Sequence, residues 1–429
     1  MTTNFPVCPF VEYVSSEDGY RRALSSTDLP EPGTIVSLEK PIAIMNHRQY
    51  AHKYCANCLL KFDRDNGKPG KRCLGGCQHT FYCSRGCQRE HFLVHKYTCK
   101  SYSKIVQIAA QQYNSSHEEE FPWEDFMLSR NVFVVICQLA GVSVKEKRTD
   151  LPLPPEIEEL YEGPTVMAED KNHTYKKALS TIIASSFGID GQRGIIFFLR
   201  LLNKFRFNNF GVLNDLQQLI ASGIFPRGSI LNHSCDPNCI LIYEGSPVRQ
   251  IIKTIKPVLE GDELFHSYTD LCQPTSVRQP RLLNMYLIRC NCERCQGLGQ
   301  WKEVESALVE GNKDFSDEDA NVVSTMIHTA QKISTDFIDG NDTDQLAREY
   351  NVLRKALSIQ KQKLGRYNLE RYKTECLILN VTLLQGRKEV LSHAEATVDF
   401  LSFVCNKHHP LLLLQEQTLL ELYTVFGKP

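Results

Sequence analysis

Eight residues of the types that bind zinc crowd one short stretch: Cys55, Cys58, Cys73, Cys77, Cys83, Cys87, His95 and Cys99. The residues between them are polar and glycine-rich, among them Asp63, Asn66, Gly67, Pro69, Gly70, Gly75 and Gly76. Such a stretch cannot build a core of its own. Zinc takes four soft ligands tetrahedrally, so eight ligands mean two closed sites, and the metal supplies the folding energy. His91, four residues before His95 on one helix face, competes with it as a ligand. The chain holds 17 cysteines and begins MTTNFPVCPF, with no basic region followed by an apolar one. That combination predicts a reducing compartment and metal binding rather than disulfides. No apolar run reaches the ~20 residues of a membrane span. The best, Gly194 to Leu202, is broken by Arg200.

A second cluster, Cys290-x-Cys292-x-x-Cys295, offers three ligands. Three do not close a structural zinc site, so a fourth must come from elsewhere, with Cys235 and Cys239 as the candidates. Cys235 lies in the run Asn232 to Asn238, NHSCDPN, between apolar Ile230-Leu231 and Ile240-Leu241-Ile242. Polar groups in an apolar setting need partners, whether a ligand, a metal or a neighbouring segment.

The segment Ser229 to Cys235, with Gly261-Asp262-Glu263-Leu264 ending four residues before Tyr268, resembles the SET-domain lysine methyltransferases. The order of the first cluster resembles a MYND finger, which narrows the resemblance to the SET-and-MYND (SMYD-type) family. That resemblance implies an α+β fold, with a split β-rich SET domain interrupted by a zinc finger and a helical insert. A helical C-terminal region like tetratricopeptide repeats would follow. The implied divisions are 1–49 (first part of SET), 50–100 (MYND finger), 101–205 (helical insert), 206–272 (core SET), 273–300 (post-SET zinc segment) and 301–429 (helical domain).

By the same resemblance alternate pairs share a metal. Cys55, Cys58, Cys83 and Cys87 would hold one zinc. Cys73, Cys77, His95 and Cys99 would hold the second. Cys235 would join Cys290, Cys292 and Cys295 on a third. Tyr268 takes the place of the catalytic tyrosine. Asn208 (with Asn209 as the alternative), Ser229, Asn232, His233 and Gly19 match positions that contact S-adenosylmethionine. Two departures stand out. The glycines of the N-terminal cofactor loop are replaced by Asp18 and Tyr20, which flank Gly19. Ile288 stands where an aromatic usually stacks on adenine, with Tyr286 nearby as a substitute.

Local patterning agrees with alternating β and helical segments. Thr34 to Leu38 reads as a strand after a Pro32-Gly33 turn, as do Ile240–Tyr243, Ile251–Ile255 and Glu263–Tyr268. Helical spacing joins Phe133, Val134, Ile136, Cys137 and Ala140, and again Ile195, Phe198, Leu199 and Leu202. From Trp301 the pattern is helical, with expected helices at Val323–Phe337, Asp344–Leu364, Tyr367–Gln385 and Arg387–Cys405 and a break at His408-His409-Pro410.

The expected function is S-adenosylmethionine-dependent methylation of lysine on histones or other proteins. The alternative is a scaffold with a weak or lost active site that recruits partners. Eleven Lys or Arg against three Asp or Glu between Lys53 and Lys104 make the finger basic, while the whole chain has a formal charge of −1. Such a patch suits a solvated face that docks proline-containing peptides better than it suits DNA. Nuclear and cytoplasmic localisation is expected.

Overall fold

The computed structural model describes residues 9–15, 21–63, 68–75, 77, 79–99, 102, 105, 107, 111, 121–163, 171–189, 191–215, 217–311, 315–335 and 343–428. The chain divides into two compact units, each discontinuous in sequence. One comprises Met1–Asn232 with Leu241–Leu264, the other His233–Ile240 with Phe265–Pro429. Each has its own buried apolar clusters.

In the first unit β1 (Val11–Ser15) pairs antiparallel with β2 (Arg21–Ser25). β3 (Ile35–Glu39) and β4 (Ala43–Asn46) follow. The finger segment contributes the short pair β5 (Lys71–Arg72) and β6 (Phe81–Tyr82) and then α1 (Arg85–Cys99). Three helices come next: α2 (Trp123–Leu139), α3 (Lys171–Ser186) and α4 (Gln192–Asn208). β7 (Asn209–Leu213) and β8 (Leu219–Ile224) return to the sheet, where β8 lies between β4 and β7. A central strand is covered on both faces, and β8 is buried at every residue but Leu219. β9 (Asn232–His233), β10 (Cys239–Glu244) and β11 (Arg249–Thr254) complete the strand-rich region. β11 sits between β10 and β3, with Leu38 opposite Ile251. Thr34 and Thr254, 220 residues apart, hydrogen-bond to each other.

α2 is buried along most of its length, wider than the apolar stripe read from Phe133 to Ala140. The Phe133 ring meets Phe187, Phe197 and Phe198 at centroid distances of 4.7, 5.6 and 5.2 Å. Beside them the Arg130 guanidinium lies 4.0 Å from the Phe187 ring and donates to the Tyr97 carbonyl. Burial pushes its pKa down to about 9. The aromatic face and the carbonyl offset that desolvation.

Glu39 ends β3 and is buried. Its carboxylate accepts the backbone N–H groups of Gly228 (2.7 Å) and Arg227 (3.2 Å), which fixes the turn that carries Ser229. Burial raises its pKa from 4.5 to about 7, against the lowering pull of those two bonds and of the Arg227 charge. A carboxyl whose pKa is raised on folding binds more protons folded than unfolded between those values. Its contribution to stability is complete below the lower value and is lost as pH rises through about 7. Glu39→Gln therefore gains on the wild type with rising pH. From about pH 5.5 to about pH 8 the gain is on the order of 2 kcal/mol. Denaturant melts of the two proteins at matched pH check this. A stability difference independent of pH would refute it.

In the second unit the strand expected over Glu263–Tyr268 shortens to β12 (Phe265–His266). The cause is local. The Ser267 hydroxyl bonds the Thr269 carbonyl and accepts the Thr269 N–H, and the Tyr268 N–H is taken by His233. α5 (Thr275–Tyr286) and α6 (Trp301–Val309) follow. Then come α7 (Asp317–Thr335), α8 (Thr343–Lys363), α9 (Leu369–Gln385), α10 (Val390–Val404) and α11 (Pro410–Phe426). From α7 onward each helix packs on the next. α7 starts six residues before the apolar pattern at Val323, because Ser316 and Asp319 bond each other reciprocally and satisfy its first turn. α11 restarts at Pro410, where the His409 ring accepts the Leu411 N–H. Among the described residues no helix is long and apolar enough to cross a membrane.

Candidate metal centres and active site

Three sets of four ligand atoms converge, each with all its members within 4.8 Å of one another: Cys55, Cys58, Cys83 and Cys87; Cys73, Cys77, His95 and Cys99; and Cys235, Cys290, Cys292 and Cys295. Sulfur separations are 3.6 Å for Cys58–Cys83 and 3.5 Å for Cys83–Cys87, Cys73–Cys99 and Cys235–Cys295. Cys77 Sγ lies 3.4 Å from His95 Nε2. A disulfide holds its sulfurs at about 2.0 Å. Two thiolates on one tetrahedral zinc lie about 3.7 Å apart, given Zn–S bonds of about 2.3 Å. The clusters match the second geometry.

Their electrostatics point the same way. Mutual hydrogen bonding, first with Cys290, drives Cys235 far up, while the bond to Cys235 drives Cys290 far down. Four thiols this close cannot all ionise unless a cation joins them. In the second set Gly75 donates its N–H to Cys73 Sγ at 3.4 Å, and a Cβ at Gly75 would strike Cys99 Sγ. Only glycine lets the backbone approach the sulfurs this closely. The competing His91 is not in the set. Its Nδ1 instead pairs with the Tyr82 hydroxyl at 2.9 Å, and its ring stacks on His95.

The third set lies in the second unit, and the short run NHSC links it to Tyr268. His233 Nε2 lies 3.2 Å from Cys235 Sγ, and its Nδ1 faces the Tyr268 N–H at 2.9 Å. A backbone N–H can only donate, so Nδ1 is the acceptor. The ring then carries its proton on Nε2 and donates it to sulfur. Ser234 donates its N–H to the His266 carbonyl and Asn238 accepts the Phe265 N–H, which tie the same run to β12. The Tyr268 ring is packed by His266, Tyr286 and His233 at 4.8, 4.9 and 5.3 Å. Tyr286 thus meets an aromatic at the end of α5, while Ile288 is half-exposed two residues on. Cys239 is buried but stands outside the set.

Behind the sulfurs lies a buried charge network that the sequence reading missed. The Arg278 guanidinium is fully buried. It donates from Nε to Cys235 Sγ at 3.2 Å, to Glu305 at 2.8 Å, to Thr275 Oγ1 at 2.8 Å and to the Gln273 carbonyl. Arg294, also fully buried, donates to the same Glu305 oxygen at 2.6 Å and to the Leu271 carbonyl. Burial works to raise the Glu305 pKa, but the Arg294 bond and the two guanidinium charges carry it below the usual carboxylate value. Four thiolates on one divalent zinc leave two negative charges, and Arg278 offsets one of them. Partners of this kind orient the ligands and tune the metal.

The remaining candidates lie in the first unit. The Asn232 amide donates to the Arg21 carbonyl (2.8 Å) and to Glu263 Oε1 (2.7 Å), so it anchors the start of β2. Ser229 Oγ donates to the Phe225 carbonyl at 2.9 Å. The Asn208 amide is buried and spends its N–H groups on the Tyr161 and Lys204 carbonyls. Its neighbour Asn209 has a buried Oδ1 without a partner among the described residues. Gly19, with Asp18 and Tyr20, lies outside the described residues.

A model of the SET domain matches residues 24–269, more than half of the chain. The chain belongs to the SET-domain family. Similar proteins include the N-lysine methyltransferase SMYD2 of Mus musculus, 25% identical over 287 residues, and SMYD2-A of Xenopus laevis, 27% identical over 296 residues. Each match covers 66% of this chain and 59% of the relative. SMYD2-B of Danio rerio is 25% identical over 241 residues, 56% of this chain and 50% of that protein. The chain therefore spans between half and three fifths of the length of these relatives. These relatives are all SMYD2 proteins, and the helical C-terminal region of this chain extends well past the segment that the SET-domain model matches.

Proposed function

We propose that this chain is a protein-lysine N-methyltransferase that uses S-adenosylmethionine and acts on histones or other proteins. The observation that carries the reading is the chain of bonds from Cys235 through the His233 ring to the Tyr268 backbone. It fixes a tyrosine against a metal-braced segment, as a reaction that depends on positioning requires. The relatives named above are N-lysine methyltransferases, which supports the same reading.

S-adenosylmethionine supplies a methyl group made electrophilic by its sulfonium. The rest of the chemistry falls to the protein. The Tyr268 hydroxyl holds the substrate lysine as a neutral amine with its lone pair directed at the methyl. The aromatic rings around Tyr268 exclude water and keep the hydroxyl in one place. Asn208, Ser229, Asn232, His233 and Gly19 hold the methyl donor. Asn209 is the alternative to Asn208. Three zinc ions are structural, two in a MYND finger at 50–100 and one in the post-SET segment at 273–300. The SET domain is completed by 1–49 and 206–272, with 101–205 inserted and 301–429 appended. The basic finger docks proline-containing peptides, and the protein works in nucleus and cytoplasm.

Two measurements on the zinc-loaded chain test this. Calorimetry with S-adenosylmethionine should give a dissociation constant in the roughly micromolar to millimolar range usual for enzyme substrates. Labelled methyl transfer to core histones and a lysine peptide array should incorporate label. Absence of both binding and transfer would leave a scaffold that recruits partners.

A further inference from the structure

A cavity of about 280 Å3 lies in the first unit between α1, β4 and the first turns of α2. Its lining is mixed. Arg48 and four histidines, His52, His79, His91 and His95, face it along with aromatic and aliphatic side chains. Arg48, His52 and His79 are exposed and mark the mouth, whereas His95, Trp123 and Met127 are buried and mark the floor.

Two of the histidines each have one ring nitrogen committed. His91 Nδ1 pairs with the Tyr82 hydroxyl at 2.9 Å. Tyr82 is buried, and its hydroxyl has no other partner among the described residues. The hydroxyl proton therefore goes to Nδ1, and the ring proton of His91 sits on Nε2. His95 turns Nε2 to Cys77 Sγ at 3.4 Å, within the second metal set. A histidine that ligates through Nε2 carries its proton on Nδ1. Neither His91 Nε2 nor His95 Nδ1 has an acceptor among the described residues, and neither is closed off from solvent as Trp123 Nε1 is. The two rings stack with centroids 5.5 Å apart and planes 16° apart, so the two donors stand side by side in the wall. A metal-bound histidine almost always gives its second ring N–H to a carboxylate, a carbonyl or a water.

We propose that this cavity binds a small aromatic carboxylate whose oxygens accept from His95 Nδ1 and His91 Nε2. The negative charge follows from the lining. Arg48 is the only Lys, Arg, Asp or Glu in it among the described residues, and its charge acts on the Tyr102 hydroxyl inside. A carboxylate thus meets two N–H donors and one cation, with no acid in the wall to oppose it. The ring follows from volume and walls. An apolar cavity of about 150 Å3 accepts benzene, so this one has room for a ring with a carboxylate attached. Tyr102 carries aromatic neighbours on both sides, stacked on His79 at 4.6 Å and edge-on to Trp123 at 4.8 Å. None of Asn208, Ser229, Asn232, His233 and Tyr268 lines the cavity, so it is separate from the residues assigned to methyl transfer. Through His95 the ligand would brace the second metal set of the finger.

The chain has two tryptophans, so it gives two indole N–H signals in a nitrogen-15 spectrum, and Trp301→Phe assigns them. The probe is benzoate, titrated into the zinc-loaded full chain, with benzamide as the neutral ring of similar shape. Benzoate should move the Trp123 signal saturably and leave Trp301 in place. Benzamide should bind roughly tenfold more weakly. At saturating benzoate one zinc ion should resist a chelator roughly tenfold better than without it, because the carboxylate holds a histidine of the metal set. Arg48→Gln, at an exposed position, should weaken benzoate several-fold and leave benzamide unchanged. Met127→Phe fills the cavity and should abolish the shift with both histidines in place. The proposal is overturned if benzoate at about 20 mM gives no saturable shift, or if the shift survives Met127→Phe. It is equally overturned if benzamide binds as tightly or Arg48→Gln keeps the full preference for benzoate, since the charge would then play no part. Zinc retention that is the same with and without benzoate would place the carboxylate away from His95 and overturn it as well.

Discussion

Replacing Cys235 with serine should cost the protein one zinc ion, the rigidity of the segment around Cys290–Cys295 and the proposed methyl transfer together. Cys290, Cys292 and Cys295 would remain as three ligands of a site that needs four. The binding energy of a structural zinc is on the order of 10 kcal/mol, and in a segment with little apolar core that energy is folding energy. A second loss comes on top. Arg278 is fully buried with its Nε on Cys235, one of the four converging sulfurs. Removing that sulfur takes one acceptor from the buried guanidinium, which keeps Glu305, Thr275 Oγ1 and the Gln273 carbonyl, so the added cost is on the order of 1–3 kcal/mol. His233 Nε2 loses its acceptor as well, which loosens the grip of its ring on Tyr268. Metal analysis should give two zinc ions per chain where the wild type gives three, and hydrogen exchange should rise over 268–296. Cys239→Ser is the internal control. That residue is buried outside the metal set, so its replacement should keep all three ions and cost only about 1 kcal/mol. If Cys239→Ser lost the ion and Cys235→Ser kept it, the assignment of the fourth ligand would be reversed.

Tyr268→Phe should separate chemistry from architecture. The substitution removes one hydroxyl and keeps the ring, and with it the packing against His233, His266 and Tyr286. The bond to His233 comes from the backbone N–H of residue 268, which phenylalanine also supplies. Zinc content, melting temperature and methyl-donor affinity should therefore stay near wild type. Turnover should fall by roughly 100- to 1,000-fold, the usual loss when one preorganised polar group is removed from a transition state. The loss should appear in kcat, with little change in KM for the peptide. Single-turnover transfer from labelled S-adenosylmethionine to a substrate peptide measures it. Unchanged turnover would remove the hydroxyl from the mechanism.

Much of the metal chemistry is legible in the sequence because few residue types bind zinc and their spacing is restrictive. Spacing gives eight ligands and hence two sites; which four share a metal comes from the resemblance to a MYND finger. The helical C-terminal region is legible from periodicity, with the restart at Pro410 where the His408-His409-Pro410 break puts it; its other boundaries move by a few residues, most at α7, where the Ser316–Asp319 cap sets the start. Three features could not be read. The shortening of β12 depends on His233 taking the Tyr268 N–H, a contact between residues 35 apart. The Arg278–Glu305–Arg294 network looks like ordinary surface charge until the fold buries it. The cavity that Arg48, His95 and Trp123 line joins segments that the sequence gives no reason to bring together. In each case the information lies in long-range packing, which spacing along the chain does not encode.

The pairing of β3 with β11 has a consequence for how the chain is made. Ribosomes add about 5–20 residues per second, so roughly ten to forty seconds pass between the emergence of Thr34 and that of its partner Thr254. During that interval β3 waits with an unpaired edge, of the kind that invites pairing with another chain. The zinc finger and the helices of α2 to α4 emerge in the meantime and can fold from contacts within their own stretch. Zinc captured early by the finger would thus organise the middle of the unit while its first strands are still open. The last strands arrive at a partly built frame, and sheet closure becomes the final step of assembly in that unit.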